Sequence, residues 1–397
     1  VLAGACGSNK KTASTPGDSG STSTVAATPT KATIPVGVIA TMSGPLSSTG
    51  IQGGNVAAAW EKWINAKGGI SGHPVKVTVE DDGADPTKGL TAAKKLVDSD
   101  NVVAIIAGTD IVLPAWDDYV IGKGVPIIGG APNSPDWSKK PGLFNGATDI
   151  QSHTLVVNVG VKLAKATAFA NLYCQEIAAC QLSDPPLKAE SEKLGIKHQA
   201  LAIGAAAPDY TAECLKMKQA GTNFPQMNVV SATAVRVVQG CQAQGYNPTW
   251  GTSLQAFGSE FKALTTNFKA YGPSYAFNPA SPNPASKDFK DAMSKYAQGK
   301  EYEAGSGPFA WDGLQILTAA LGKAQLGDQA PTSAQLLDGL YALNGSDLGG
   351  EFANPLSFVK GQPPLLNGAR PCAFIMGVEN GKLTAPAGND KICVGAA

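Results

Sequence analysis

The sequence predicts an α/β protein of two doubly wound parallel-sheet lobes. Three observations predict it. Short apolar runs bounded by turn residues alternate with stretches of helical periodicity. That alternation comes as two series, one before and one after residue 150. The chain has 397 residues, 43% of them apolar, which is too long for one ordinary α/β unit and enough to fill two cores of roughly 150 residues each.

Residues 35–40 (PVGVIA) read as a buried parallel strand. Val56, Trp60, Trp63 and Ile64 then fall on one helix face, and Gly68-Gly69 supplies a stop. Residues 75–79 alternate like a strand, and Leu90, Ala93, Leu96 and Val97 mark the next helix after Pro86. Strands follow at 102–106 and 125–128, with a helical stretch at 114–121 between them. The second series has strands at 167–172, 199–203 and 227–230, and helices near 187–194, 210–219 and 234–244. In open α/β sheets, ligands bind beyond the C-terminal strand ends. Two such lobes facing each other would share one cleft.

Charge narrows the function. Lys+Arg and Asp+Glu balance at 31 each, so no basic field attracts nucleic acid. Arg236 and Arg370 are the only arginines, which limits bidentate anion clamps. No apolar run approaches the roughly 20 residues that span a bilayer. Walker, GxGxxG, GxSxG and HExxH patterns are absent, and the Ser-x-x-Lys of the tail, Ser8 to Lys11, lies where nothing could pre-organise it, so an enzyme is not expected. No cofactor is expected. Zinc is not expected either, with His73, His153 and His198 the only histidines and no CxxC or HxxxH spacing. Asp81, Asp82 and Asp85 sit between a strand and a helix and read as turn and N-cap residues, not metal ligands.

Seven cysteines are present. Cys6 stands apart; the others fall into local pairs, Cys174 with Cys180, Cys214 with Cys241, and Cys372 with Cys393. Disulfides in an oxidising compartment suit them, and nearest-neighbour pairing is preferred among several possible connectivities. The opening VLAGACGS resembles the end of a bacterial lipobox, which would make Cys6 the lipidated residue. Leu2 lies one place further from Cys6 than that pattern usually has it. Residues 7–33 are Ser, Thr, Pro, Ala, Gly and Lys in the main and hold no aromatic residue. They read as a flexible tether with a reach of roughly 25–30 Å.

Four ordered segments now carry a family resemblance: VIATMSGP at 38–45 followed by Thr49-Gly50, then WINAKGGISG at 63–72 and DDGADP at 81–86. They resemble the opening of a type I periplasmic substrate-binding protein of ABC transporters, in the leucine/isoleucine/valine- and amide-binding group. Weaker echoes follow at Gln244-Gly245-Tyr246, at Ala310-Trp311-Asp312 opening a long helix, and at Gly349-Gly350. The resemblance implies a first lobe of residues 34–150 plus 276–330 and a second of 151–275 plus 331–397. Three hinge crossovers would join them, and the lobes would close as rigid bodies on a ligand. It further implies a monomer, anchored to the outer face of the cell membrane, that delivers a small solute to a membrane permease. The alternative is a sensor with the same fold, presenting its closed form to a signalling receptor.

The resemblance also implies site residues. The loop after the first strand, 43–50, would lie on the ligand through Ser48 and Thr49, the latter in place of a family aromatic. Thr109 matches a hydroxyl residue that holds the ligand carboxylate, at a helix start suited to an anion. Asp110 departs from the pattern; it either caps a helix or favours a cation or hydroxyl over a carboxylate. Ala131 and Asn133 match ligand-contacting positions, with Ser134 beside them. In the second lobe, the stretch 251–257 lacks the acidic residue that holds an ammonium in α-amino-acid binders, and Glu260 comes slightly late. An unpaired buried ammonium is costly. Ser231, Gln255 and Phe257 would then serve a neutral or aromatic ligand, with Tyr173, Gln175 and Glu176 as further candidates.

Overall fold

A computed structural model describes residues 29–394 apart from 45, 133, 147–148, 177, 253–256, 275–276, 304 and 365–370. The first series forms β1 (Ile34–Ala40), α1 (Ile51–Ala66), β2 (Val75–Asp81), α2 (Pro86–Lys94), β3 (Ile105–Ala107), α3 (Asp117–Gly122), β4 (Ile127–Ile128) and β5 (Leu143–Phe144). These strands make a sheet of order β2-β1-β3-β4-β5, parallel throughout. Alternation along β1 loads both faces. Val36 and Val38 join a core with Trp60 and Trp311, while Ile39 joins another with Ile105, Leu113 and Trp116. Asp85 caps α2 by accepting from Thr87 N and Lys88 N, with Pro86 as the first helical residue. Asp81 accepts from Met42 N and Gly83 N, and Asp82 from Thr41 Oγ1 and Ala84 N. All three aspartates thus serve turns and caps.

The second series forms α4 (Asp149–Val159), β6 (Ala168–Cys174), α5 (Ala178–Leu182), α6 (Asp184–Lys193), β7 (Lys197–Ile203), α7 (Thr211–Gln219), β8 (Phe224–Asn228), α8 (Ser231–Ala243), β9 (Trp250–Gly251) and β10 (Lys269–Ser274). The chain then returns to the first lobe with α9 (Pro284–Tyr296), α10 (Gly307–Lys323), α11 (Ser333–Tyr341), β11 (Asn344–Ser346) and β12 (Leu356–Ser357). It ends in the second with β13 (Cys372–Glu379), β14 (Lys382–Thr384) and β15 (Lys391–Cys393).

Two expectations are corrected. The family resemblance places residues 331–397 in the second lobe, yet Leu336, Leu340, Leu343, Phe352, Leu356 and Phe358 pack in the first lobe's core with Trp60 and Leu317. The apolar stripe of α11 needs a partner face, and α10, buried along most of its circumference, offers one. The second sheet is also not purely parallel. Its order is β14-β13-β10-β9-β8-β6-β7, with β15 on β13, and every pairing made by β13 is antiparallel. The β13–β14 pairing is a hairpin, joined by Asn380 and Gly381, both at positive φ (47° and 79°), the backbone a type I′ turn requires.

The six body cysteines form disulfides Cys174–Cys180, Cys214–Cys241 and Cys372–Cys393. The second ties α7 to α8 within the core, and the third links directly opposed residues of β13 and β15. Cys6 lies outside the described residues.

Candidate functional site

Chain direction brings the C-terminal ends of β1, β3 and β4 toward those of β6, β8 and β9. On the first-lobe side, β1 runs into Thr41, which is fully buried. Thr41 N donates to Thr109 Oγ1 at 3.0 Å, the two hydroxyls are 3.0 Å apart, and Thr41 Oγ1 donates to Asp82 Oδ1 at 2.7 Å. Thr109 therefore fastens the ends of β1 and β3 together and is 1% exposed. Burial pushes the Asp82 carboxyl upward, against the hydrogen bonds from Thr41 and Ala84.

Asp110 is buried and accepts from Ser134 N at 2.8 Å and from Trp137 Nε1 at 3.2 Å. It ties the loop after β3 to the loop after β4. Asp110→Ala would leave two buried donors unpaired. A loss of about 2 kcal/mol in chemical denaturation is the expected result. Ser134 caps the short turn after it by accepting from Asp136 N. Ala131 is buried in a cluster that draws on both lobes, with Phe309 of α10, Val229 and Phe257. Asn133 and Gln255 lie outside the described residues.

Across the seam, Ser231 opens α8 and is fully buried. Its Oγ donates to Glu260 Oε2 at 2.7 Å and lies 3.4 Å from Ser48 Oγ of the first lobe. Ser48 belongs to the short turn Ser47–Thr49. Gly258 presses on this pair; a Cβ there would lie 2.4 Å from Ser231 Oγ and 2.6 Å from Glu260 Oε2. The carboxylate that looked late in the sequence thus reaches the seam, because the turn Ser259–Ala263 folds back on α8. Phe257 is buried against Phe261, with ring centroids 5.2 Å apart.

Tyr173 is half-buried at the end of β6, in register with Ala202 and Asn228. Gln175 and Glu176 are exposed and turned toward the segment after β7. Gln175 N donates to Ile203 O, and Glu176 Oε1 accepts from Ala205 N at 2.7 Å. The candidates therefore separate into a seam group (Ser48, Ser231, Phe257), a buried group under the first-lobe loops (Thr109, Asp110, Ala131, Ser134) and a peripheral pair.

A pocket of about 260 Å³ opens at the seam, lined from the first lobe by Gln52 and residues 299–303 and from the second by Phe257, Gly258, Ser259 and Lys262. Gln52 Nε2 donates to Glu301 Oε2 at 3.2 Å over a separation of 249 residues. Nothing local in the sequence marks Gln52, Glu301 or Tyr302, since only α1 and the segment before α10 coming together makes them neighbours. Burial pushes the Tyr302 hydroxyl up, and Glu303 adds to it.

Residues 33–361 match a family described as periplasmic binding protein. An "Amino acid binding protein" of Pseudomonas aeruginosa is 24% identical over 313 residues, 77% of this chain and 82% of that protein. Two solved structures share the fold. The substrate-binding protein LivJ of the branched-chain amino acid transporter of Streptococcus pneumoniae, in complex with isoleucine, has a TM-score of 0.71 at 20% identity, covering 91% of this chain and 99% of that one. A fatty acid ABC transporter substrate-binding protein from Thermomonospora curvata has a TM-score of 0.70 at 17% identity, covering 93% of both.

Proposed function

The chain belongs to the periplasmic binding protein family, and on that premise we propose that it is the solute-binding lipoprotein of an ABC uptake system. Its family is extracytoplasmic and binds small molecules. In the finer reading, Cys6 carries the lipid, residues 7–33 hold the body off the membrane, and the closed form delivers its solute to a permease. The solute is a small polar or amphipathic molecule: amino-acid-like, an amide or an aromatic acid. The relatives span ligands as different as isoleucine and a fatty acid, so the fold does not choose among these.

The observation that carries the reading is the contact of Ser48 with the Ser231–Glu260 pair across the seam. It joins the two lobes through polar groups at the strand ends, where open α/β sheets bind ligands. Glu260 also supplies a carboxylate for an ammonium, which restores α-amino acids to the candidate solutes. Thermal denaturation of the full chain against amino acids, amides, aromatic acids and polyols tests this. One class should give a saturable rise, since ligand at 100 times its Kd adds about 2.7 kcal/mol. Glu260→Gln should weaken binding of a cationic or zwitterionic hit at least tenfold in calorimetric titration. A flat response to every class counts against the reading.

A further inference from the structure

The chain passes between the lobes three times, from β5 to α4, from β10 to α9 and from β12 to β13. One first-lobe segment, residues 350–354, meets all three crossings, and its residues 351–354 are only 2–4% exposed. Gly350 O accepts from Asn283 Nδ2 at 2.6 Å, where the second crossing enters α9. The Phe352 ring covers Gly146 in the first crossing, where a Cβ would lie 2.2 Å from Phe352 Cδ1. Asn354 faces the end of the third. Its Nδ2 donates to Cys372 O at 2.7 Å, and Cys372 N donates to its Oδ1 at 2.8 Å. A backbone N–H only donates and a carbonyl only accepts, so one orientation of the carboxamide serves both. Beside it, Lys391 Nζ donates to Ala353 O at 3.0 Å.

These bonds join two rigid bodies. Phe352 and Leu356 are anchored in the first-lobe core. Cys372 and Lys391 belong to β13 and β15, which pair antiparallel and are held by the Cys372–Cys393 disulfide. A hydrogen bond weakens as its donor is bent out of line, so swinging β13 away from Asn354 would cost both of its bonds. They are made here in the arrangement in which Ser48 touches Ser231 across the seam. We propose that Asn354 is a positioning residue of the hinge: its two bonds to Cys372, supported by Lys391 on Ala353, are given up when the lobes open and so favour the closed arrangement. The proposal rests on lobe closure in the solute-binding reading and deepens it by naming what sets the balance before any solute arrives. A larger closed population binds solute more tightly, because more of the protein is already competent.

Hydrogen–deuterium exchange of the full chain without solute, read by mass spectrometry, tests it. Peptides covering residues 47–55 and 257–264 report the seam, and peptides from β1 and β8 report the two cores. Asn354→Ala should speed seam exchange about tenfold and leave both cores at the parent rate. Lys391→Met, at an exposed side chain, should speed it about threefold, and it carries the test if the first variant fails to fold. Seam exchange at the parent rate in a folded variant overturns the inference. So does a rise shared by the seam and both cores, which would make Asn354 a stabilising residue and nothing more. Seam peptides that exchange in the parent as fast as a free loop also overturn it, since no closed arrangement is then favoured. No solute enters this experiment, so its failure leaves the solute-binding reading to be decided by the thermal screen alone.

Discussion

Glu351→Gln is expected to gain stability over the parent chain steadily as pH rises from 5 to 8. Glu351 and Asp312 are buried together, 2% and 4% exposed, with Glu351 Oε1 and Asp312 Oδ1 lacking hydrogen-bond partners among the described residues. Burial pushes Glu351 up to about 8, with the Asp288 charge adding to it and hydrogen bonds to Asp312 and Gln315 opposing. Burial raises Asp312 well above the carboxylate range, and Glu351 contributes. The unfolded chain releases the Glu351 proton near 4.5, while the folded chain keeps it until about 8. Between those values the folded state binds more protons. Stability from this group is thus fully present below the lower value and is lost as pH rises through the upper one. The slope is about 1.4 kcal/mol per pH unit for one proton. Glutamine carries no such proton, so its slope is absent. Melting temperatures of parent and variant at pH 5, 6.5 and 8 decide it; parallel curves would show that the pair is not held protonated. Asp312→Asn combined with Glu351→Gln should flatten the profile further.

Gly339→Val is expected to destabilise the first lobe by on the order of 3 kcal/mol. A Cβ at Gly339 would sit 2.0 Å from Ala320 O and 2.7 Å from Ala320 C. Those atoms are α10 backbone, which cannot step aside as a side-chain tip can. Helix α11 would have to lift, uncovering Leu336 and Leu340. Gly322 is the control on the neighbouring helix, for no atom of the described residues lies within 4 Å of a Cβ there. Gly322→Ala should leave stability unchanged or raise it by about 0.5–1 kcal/mol. Urea denaturation of the three proteins reads both effects. Equal midpoints for Gly339→Val and the parent would mean that α11 does not dock as described.

Much of this architecture was legible because its signals are local. Val56, Trp60, Trp63 and Ile64 announced α1 by spacing alone, and their burial follows it. The disulfide pairs are close in the chain and close in space. Asp85 before Pro86 declared a cap, and the cap is there. Asn380-Gly381 between apolar runs is also a local signal, and it marks the β13–β14 hairpin. The return of residues 333–358 to the first lobe had no such marker. An amphipathic helix says that it needs a partner, not which one, and α10 became that partner only once α1, α9 and the sheet had framed it.

The same division governs the site. Composition and strand–helix alternation determined by themselves that this is a two-lobed α/β chain, since each of those properties is written within a few residues. Tertiary structure decided what each side chain does there. It committed Asp110 to Ser134 and Trp137, carried Glu260 back to Ser231, and set Gln52 beside Glu301. Partners such as the last pair, 249 residues apart, meet only because two sheets and their helices pack in one particular way. A hydrogen bond depends on position to a fraction of an ångström, which no local pattern records.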